Sequence, residues 1–295
     1  MNSRELLRKV RRIEISTRHL VNDVFSGQYH SVFKGQGMEF SEVRGYMPGD
    51  DIRTIDWNVT ARTGDLFVKR YVEERDLTVM LLVDLSGSEE FGTQSQRKNE
   101  VAAELCALLA FSALRNHDRV GLLVFTDTIE RFIPPAKSRR HGLRVIREVL
   151  AYRPERRGTN LAAPLEHLGR VLKRRAVVFL ISDFLAPDFS GALRTAARRH
   201  DVVGMRLVDP RDRELPDAGL VLVEHLETGE RWWVDTKRKG VRAAYRSAAG
   251  ARAERLARLF HRSRSDLVEI PVDGSYVTPL IQFFAKRAAR ARQGR

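Results

Sequence analysis

Apolar residues recur along the chain in two different registers, and the change between them falls near residue 77. Before it, Leu6, Val10, Ile13, Leu20 and Val21 keep the three-to-four-residue spacing of one helix face and predict a leading helix over 4–25. Gly35-Gln36-Gly37 breaks that pattern. Residues 38–57 carry only short apolar pieces and the turn Met47-Pro48-Gly49-Asp50, where proline presets φ and glycine tolerates a positive value. Leu66 to Val72 alternates and reads as a strand.

From 77 onward strands and helices take turns. Leu77–Val83, Val120–Phe125, Ala176–Ile181 and Asp201–Val208 are dominated by apolar residues, as expected of strands covered on both faces. Helical spacing fills 97–115, 141–152, 161–174, 189–199 and 238–262 between and after them. Thr128–Ile133 pairs by hairpin with the strand before it and is expected to end at Pro134-Pro135. Leu220–Glu224 and Trp232–Val234 form a second hairpin around a glycine turn, Leu267–Ile270 a last strand, and Thr278-Pro279 opens a final helix to about 290. This order predicts an α/β fold with a mostly parallel sheet and helices on both faces.

Composition removes several alternatives. A single cysteine, Cys106, leaves no disulfide framework and no cysteine metal cluster, and its place among Leu105, Leu108 and Leu109 predicts a buried structural thiol. No stretch approaches the ~20 apolar residues of a membrane helix, and the charged first twenty residues lack the apolar region of a secretory signal, so a soluble cytoplasmic protein is expected. The net charge of +14 is uneven: residues 237–295 hold 15 basic against 4 acidic side chains, +11 of the total. Arg238, Arg242, Arg246, Arg252, Arg255, Arg258 and Arg262 lie largely opposite the apolar face of their helix. Such a stripe suits phosphate backbones, an anionic membrane surface or an acidic protein. Few aromatics interleave it and no nucleic-acid motif accompanies it, which argues against nucleic acid.

The chemistry-bearing motif is Asp84-Leu85-Ser86-Gly87-Ser88, at the carboxyl end of the first apolar strand, where open α/β sheets bind ligands. Its oxygens at i, i+2 and i+4 can converge as the chain turns. Thr159, in the loop Arg157-Gly158-Thr159-Asn160, and Asp183, directly after the third apolar strand, can join them. Two carboxylates and three hydroxyls form an all-oxygen set of the kind hard cations take, with Mg2+ or Mn2+ expected and room for one outside ligand. A phosphatase of the aspartate-nucleophile type would need an acid two positions after Asp84, where Ser86 stands, and neither G-x-S-x-G nor a phosphate-binding G-x-x-x-x-G-K-[ST] loop is present. No enzyme activity is expected.

DLSGS, the later Thr159 and the later Asp183 resemble the metal-ion-dependent adhesion site of von Willebrand factor type A domains, a likeness covering about 77–290. By that resemblance Ser86, Ser88 and Thr159 would touch the metal directly, and Asp84 and Asp183 would hold it directly or through water. The preceding segment, from Gly37-Met38-Glu39-Phe40 through Arg44–Arg53, Ile55-Asp56-Trp57 and Val68–Tyr71 to Glu73-Glu74-Arg75, resembles the domain of unknown function 58 family, whose members place it before such a domain. The resemblance implies an amino-terminal helical and β-rich region over 1–76 and a von Willebrand type A domain with basic carboxyl-terminal helices over 77–295. It implies a divalent-metal-dependent adaptor working with a MoxR-type AAA+ ATPase, an acidic client, or both, supplying a carboxylate to the metal. The alternative is a basic binder of nucleic acid or anionic membrane with a vestigial metal site. Within 44–57 an internal network of Arg–Asp pairs is expected, with Trp57 as a packing anchor, and of Trp232 and Trp233 one is expected to pack and the other to face a partner.

Overall fold

Amphipathic spacing makes the leading segment a helix, α1 (Ser3–Leu20), in the computed structural model of the chain, which describes residues 3–21, 32, 38–73, 77–90 and 97–293. The expected end of that helix, 22–25, lies outside the described residues. Then come β1 (Met38–Gly45), α2 (Trp57–Thr63) and β2 (Phe67–Glu73). The strand–helix alternation follows as β3 (Thr78–Asp84), α3 (Lys98–Arg115), β4 (Arg119–Phe125), β5 (Ile129–Ala136), α4 (Arg139–Ala151), α5 (Ala162–Val171), β6 (Val177–Ser182), α6 (Ser190–Arg199) and β7 (Asp201–Val208). The chain continues through α7 (Pro210–Arg213), β8 (Leu220–Glu224), β9 (Arg231–Asp235), α8 (Lys239–Arg262), β10 (Asp266–Pro271) and α9 (Val277–Gln293).

The four apolar runs become β3, β4, β6 and β7. They lie in one six-stranded sheet of order β10-β7-β6-β3-β4-β5, parallel throughout except for β5, which runs antiparallel to β4. Counted along the chain this is the order 3-2-1-4-5-6 of doubly wound folds, with its reversal between β3 and β6. It is the α/β, mostly parallel architecture that the sequence predicts. On one face, Leu161, Leu165, Leu168, Leu193, Leu256 and Phe260 pack on Met80, Leu82, Leu123, Phe125, Val178 and Leu180 of the sheet. α3 is almost wholly buried, Cys106 with it, as expected. Burying a leucine or phenylalanine contributes about 1.5–3 kcal/mol, so these layers fix the strand ends that carry the polar loops.

The chain divides differently from the expected 1–76 and 77–295. The described residues of Met1–Val32 join those of Thr78–Arg295 in one unit, and those of Phe33–Leu77 form a second. Val10 and Ile13 of α1 are buried against Ala107 and Ile146, and Glu14 takes the Arg139 guanidinium at 2.6 and 2.9 Å. The apolar face of α1 is thus buried on α3 and α4.

In the smaller unit β1 and β2 pair antiparallel, although the sequence of β1 showed only short apolar pieces. Of the expected network of Arg–Asp pairs, the described residues show one pair, the other aspartates serving as caps. Arg44 grips Asp50 with two hydrogen bonds of 2.7 and 2.9 Å and holds that carboxyl below its usual range. Asp51 caps the turn at Ile52–Thr54, and Asp56 caps α2. Trp57 corrects the sequence reading: as the first residue of α2 its ring is 63% exposed rather than a packing anchor. Two further boundaries move. β5 runs on through Pro134 and Pro135, which an edge strand tolerates because its outer N–H groups have no partner to lose. α9 begins at Val277, one residue before the expected Thr278 cap.

Candidate functional site

Because connections leave β3 and β6 in opposite directions, a crevice opens beyond their carboxyl ends. Asp84 is the last residue of β3 and Ser182 the last of β6. The Asp84 carboxylate accepts the Ser86 N–H at 2.9 Å on one oxygen and the Ser182 hydroxyl at 2.7 Å on the other. The first bond is an Asx turn that folds the motif back on itself. The hydroxyls of Ser86 and Ser88 lie 3.2 Å apart. A 3-10 turn over Gly87–Glu90 then brings Glu89 inward, where one of its carboxylate oxygens accepts the Asp183 N–H at 3.0 Å. Asp183 in turn accepts the Leu185 N–H at 2.9 Å. The next residue, Phe184, holds a left-handed φ of 60°, a strained value for an aromatic residue. It is kept there by a hydrogen bond to Ser182 and by edge packing on Phe260. Asp183 itself is held at the crevice by Lys98, by the Leu185 N–H and, through its own N–H, by Glu89.

One carboxylate oxygen from each of Asp84, Glu89 and Asp183 lies within 4.8 Å of the other two, and all three residues are buried. Burial first, and then the Asp183 charge, push Asp84 up to about 7 against the hydrogen bonds from Ser182 and Ser86. Burial and the charges of Asp183 and Asp84 hold Glu89 well above its usual range, with Lys98 opposing. One Glu89 oxygen is buried without a hydrogen-bond partner. The cation already present is Lys98, the first residue of α3 and only 1% exposed, whose ammonium lies 2.9 Å from both Asp183 and Asp212. Burial alone would lower its pKa; Asp183, Glu89 and Asp212 outweigh that and raise it. One ammonium shared with a fourth carboxylate leaves the cluster short of positive charge, the condition under which buried acids gain protons or take a cation.

Of the five residues expected from the sequence, the structure gathers Asp84, Ser86, Ser88 and Asp183 at the crevice. Thr159 is tied to the same turn through the backbone, the Gly87 N–H donating to the Arg157 carbonyl at 2.9 Å. Its own hydroxyl donates to Glu227, from the loop joining β8 and β9. That loop sits directly on the motif: a Cβ on Gly87 would meet the Leu226 carbonyl oxygen at 2.5 Å, so only glycine fits. Carboxylates with adjacent hydroxyls are the donors a hard divalent cation takes, and the orphaned Glu89 oxygen adds one that the motif alone did not suggest. Sequence reasoning missed Glu89, Lys98, Ser182 and Glu227. Lys98 carried a signal, being a lysine just after the motif in a chain with only 9 lysines among 52 basic residues.

Four of the seven arginines at and along α8 are answered by neighbours, and Arg252, Arg255 and Arg262 are exposed. Arg238 pairs with Asp235, Arg242 with Asp217, Arg246 with Glu214 and Arg258 with Glu254, at 3.1–3.5 Å. Trp232 and Trp233 are both substantially exposed, so neither is the buried ring expected of one of them. Among the described residues no helix is long and apolar enough to cross a membrane.

The model of the family described as "Protein of unknown function DUF58" matches residues 42–255. The uncharacterized protein Rv1480 of Mycobacterium tuberculosis is 30% identical over 295 residues, covering 98% of this chain and 92% of that protein. The uncharacterized protein YeaD of Bacillus subtilis is 24% identical over 186 residues, 63% of this chain and 44% of its own. Among solved structures, the conserved hypothetical protein BatB from Bacteroides thetaiotaomicron aligns over 72% of this chain and 99% of its own, at 14% identity and a TM-score of 0.46. The SpRpn10 VWA domain aligns over 70% and 94%, at 12% identity and a TM-score of 0.39.

Proposed function

The chain belongs to the DUF58 family, and we propose that it is a protein-binding adaptor, not an enzyme, whose contact with its partner depends on a divalent cation, Mg2+ or Mn2+. The observation that carries this reading is the buried trio Asp84, Glu89 and Asp183 at the sheet's switch point, with one ammonium to balance it. Asp84, Ser86, Ser88, Thr159 and Asp183 would hold the ion, with Glu89 beside them. When bound, the ion supplies a coordination position that a partner's aspartate or glutamate can fill. The chain's own residues do the rest. Ser182 and the Ser86 N–H orient Asp84, Lys98 orients Asp183, and the Phe184 N–H bond to Ser182 with its packing on Phe260 holds the loop after β6. A charged carboxylate is selected because an uncharged side chain cannot neutralise a dication.

A binding role is favoured over catalysis by the company the nucleophiles keep. The Ser86 hydroxyl is engaged by Ser88 and by the Asp84 carboxylate, both members of the proposed cation set, and burial pushes the Cys106 thiol up, away from reactivity. By family resemblance the partner is a MoxR-type AAA+ ATPase or its acidic client, met in the cytoplasm. The test is thermal unfolding against Mg2+ and Mn2+ for the wild type and for Ser86→Ala with Ser88→Ala. A hundredfold excess over Kd should raise wild-type stability by about 2.7 kcal/mol. The double variant should show no rise, and EDTA or Asp84→Ala should abolish capture of the ATPase. Capture that persists under both treatments removes the ion from the mechanism.

A further inference from the structure

The hairpin of β8 and β9 forms a separate two-stranded sheet, and such a ribbon is marginal on its own. Leu222 and Trp233 face each other across it and are 50% and 65% exposed, so apolar burial does little to hold it. Its base is fastened by Thr236, whose N–H and hydroxyl both donate to the Gly219 carbonyl at 2.7 Å. Its tip is fastened on the motif loop, with Leu226 over Gly87 and the Glu227 carboxylate on the Thr159 hydroxyl. Glu227 is half-buried and has no cationic partner among the described ion pairs. A carboxylate brought by a loose ribbon onto a hydroxyl of the cation set needs a reason beyond filling one hydrogen bond.

We propose that Glu227 is this site's own carboxylate, an internal stand-in for the acidic side chain that a partner would bring. It approaches through Thr159, on the side covered by the hairpin turn, so a partner's carboxylate reaches the site by displacing the turn at Leu226 and Glu227. With Leu222 and Trp233 exposed, few apolar contacts oppose lifting the hairpin once its tip contacts at Leu226 and Glu227 are exchanged. This inference rests on the cation-dependent reading above and specifies how that same site is kept closed.

Glu227→Ala leaves the Thr159 hydroxyl without its acceptor and opens a gap the size of a carboxylate, which free acetate can fill. Mn2+ binding is measured by calorimetry on the full chain, for the wild type, Glu227→Ala and Glu227→Asp, with and without excess acetate. Hydrogen exchange over residues 219–235 is followed on the same samples without metal. The expected result is Mn2+ binding weakened about tenfold in Glu227→Ala, the scale of one charge-assisted contact. Acetate should restore it there and leave the wild type unchanged. Glu227→Asp, with its charge kept and its arm shortened, should fall between and serves where the alanine variant folds poorly. Exchange at the hairpin tip should rise at least tenfold in Glu227→Ala. Equal Mn2+ affinity in wild type and both variants, or acetate acting alike on all three, overturns the inference and leaves the cation reading standing. A wild type that takes up no Mn2+ overturns both.

Discussion

Asp84 and Lys98 set the local energetics. Asp84 is pushed up to about 7 because burial and the Asp183 charge disfavour its ionised form, with the Ser182 and Ser86 hydrogen bonds opposing, and Lys98 opposes the same rise at Glu89. The folded pKa of Asp84 therefore exceeds its unfolded value near 3.9. The folded state binds the extra proton between the two values, so the stability this group contributes is full below about pH 4 and is lost as pH rises through about 7. In EDTA, Tm should fall across that window, and Asp84→Asn should flatten the slope and raise stability at pH 8. A metal-free protein whose Tm climbs from pH 4 to 7 in the wild type and in Asp84→Asn alike would contradict this. Lys98→Met removes the ammonium that Asp183 and Asp212 share. Stranding buried carboxylates costs about 3–5 kcal/mol, so urea unfolding of the metal-free variant should show a loss of that size. A change under 1 kcal/mol would mean that solvent already serves Asp183. The sequence made Asp84, Ser86 and Ser88 legible because a contiguous motif needs only the end of a strand to give it meaning. Glu89 and Glu227 were not legible, and Lys98 only as a rare lysine, since each acquires its role from a contact made by the tertiary fold.

Elements follow the same division between local pattern and distant partner. β3, β4, β6 and β7 were readable because a strand covered on both faces is apolar at almost every position. β1 was not, since a register shift between Phe40 and Glu42 puts Met38 and Phe40 out of phase with Val43, and only the ladder to β2 makes it a strand. α1 was readable as a helix from its apolar spacing, but what it packs on was not written in that spacing. Its face could have met the residues that follow it; instead it lies on α3 and α4. Ile13→Ala should therefore destabilise the six-stranded unit by about 2–4 kcal/mol, read by denaturant unfolding with near-ultraviolet circular dichroism as the probe. An unchanged midpoint would place α1 off the sheet unit in solution.

Across the whole molecule the net charge of +14 invites a phosphate-binding reading, and the pairing of charges argues it down. Beyond the paired Arg238, Arg242, Arg246 and Arg258 at and along α8, Arg287 of α9 bridges Asp201 and Asp266, and Arg290 adds a second contact to Asp266 at 3.1 Å. Pairs of this kind contribute little stability where exposed, but they occupy the guanidinium groups that a phosphate backbone would need. A protein that neutralises Z phosphates loses affinity with a log–log salt slope of about −0.9Z, so a stripe of seven free arginines would give a steep dependence. With four of the seven paired, the stripe should give a shallower one, equivalent to about three phosphates, with duplex DNA binding weak near physiological salt. The partner proposed above, an ATPase or an acidic protein, should instead respond first to Mg2+ and EDTA and only weakly to ionic strength. Titrating both ligands over a salt series, with and without Mg2+, separates the two. A steep, Mg2+-independent slope for DNA would make the basic face the working surface and leave the crevice at β3 and β6 a structural feature of the sheet.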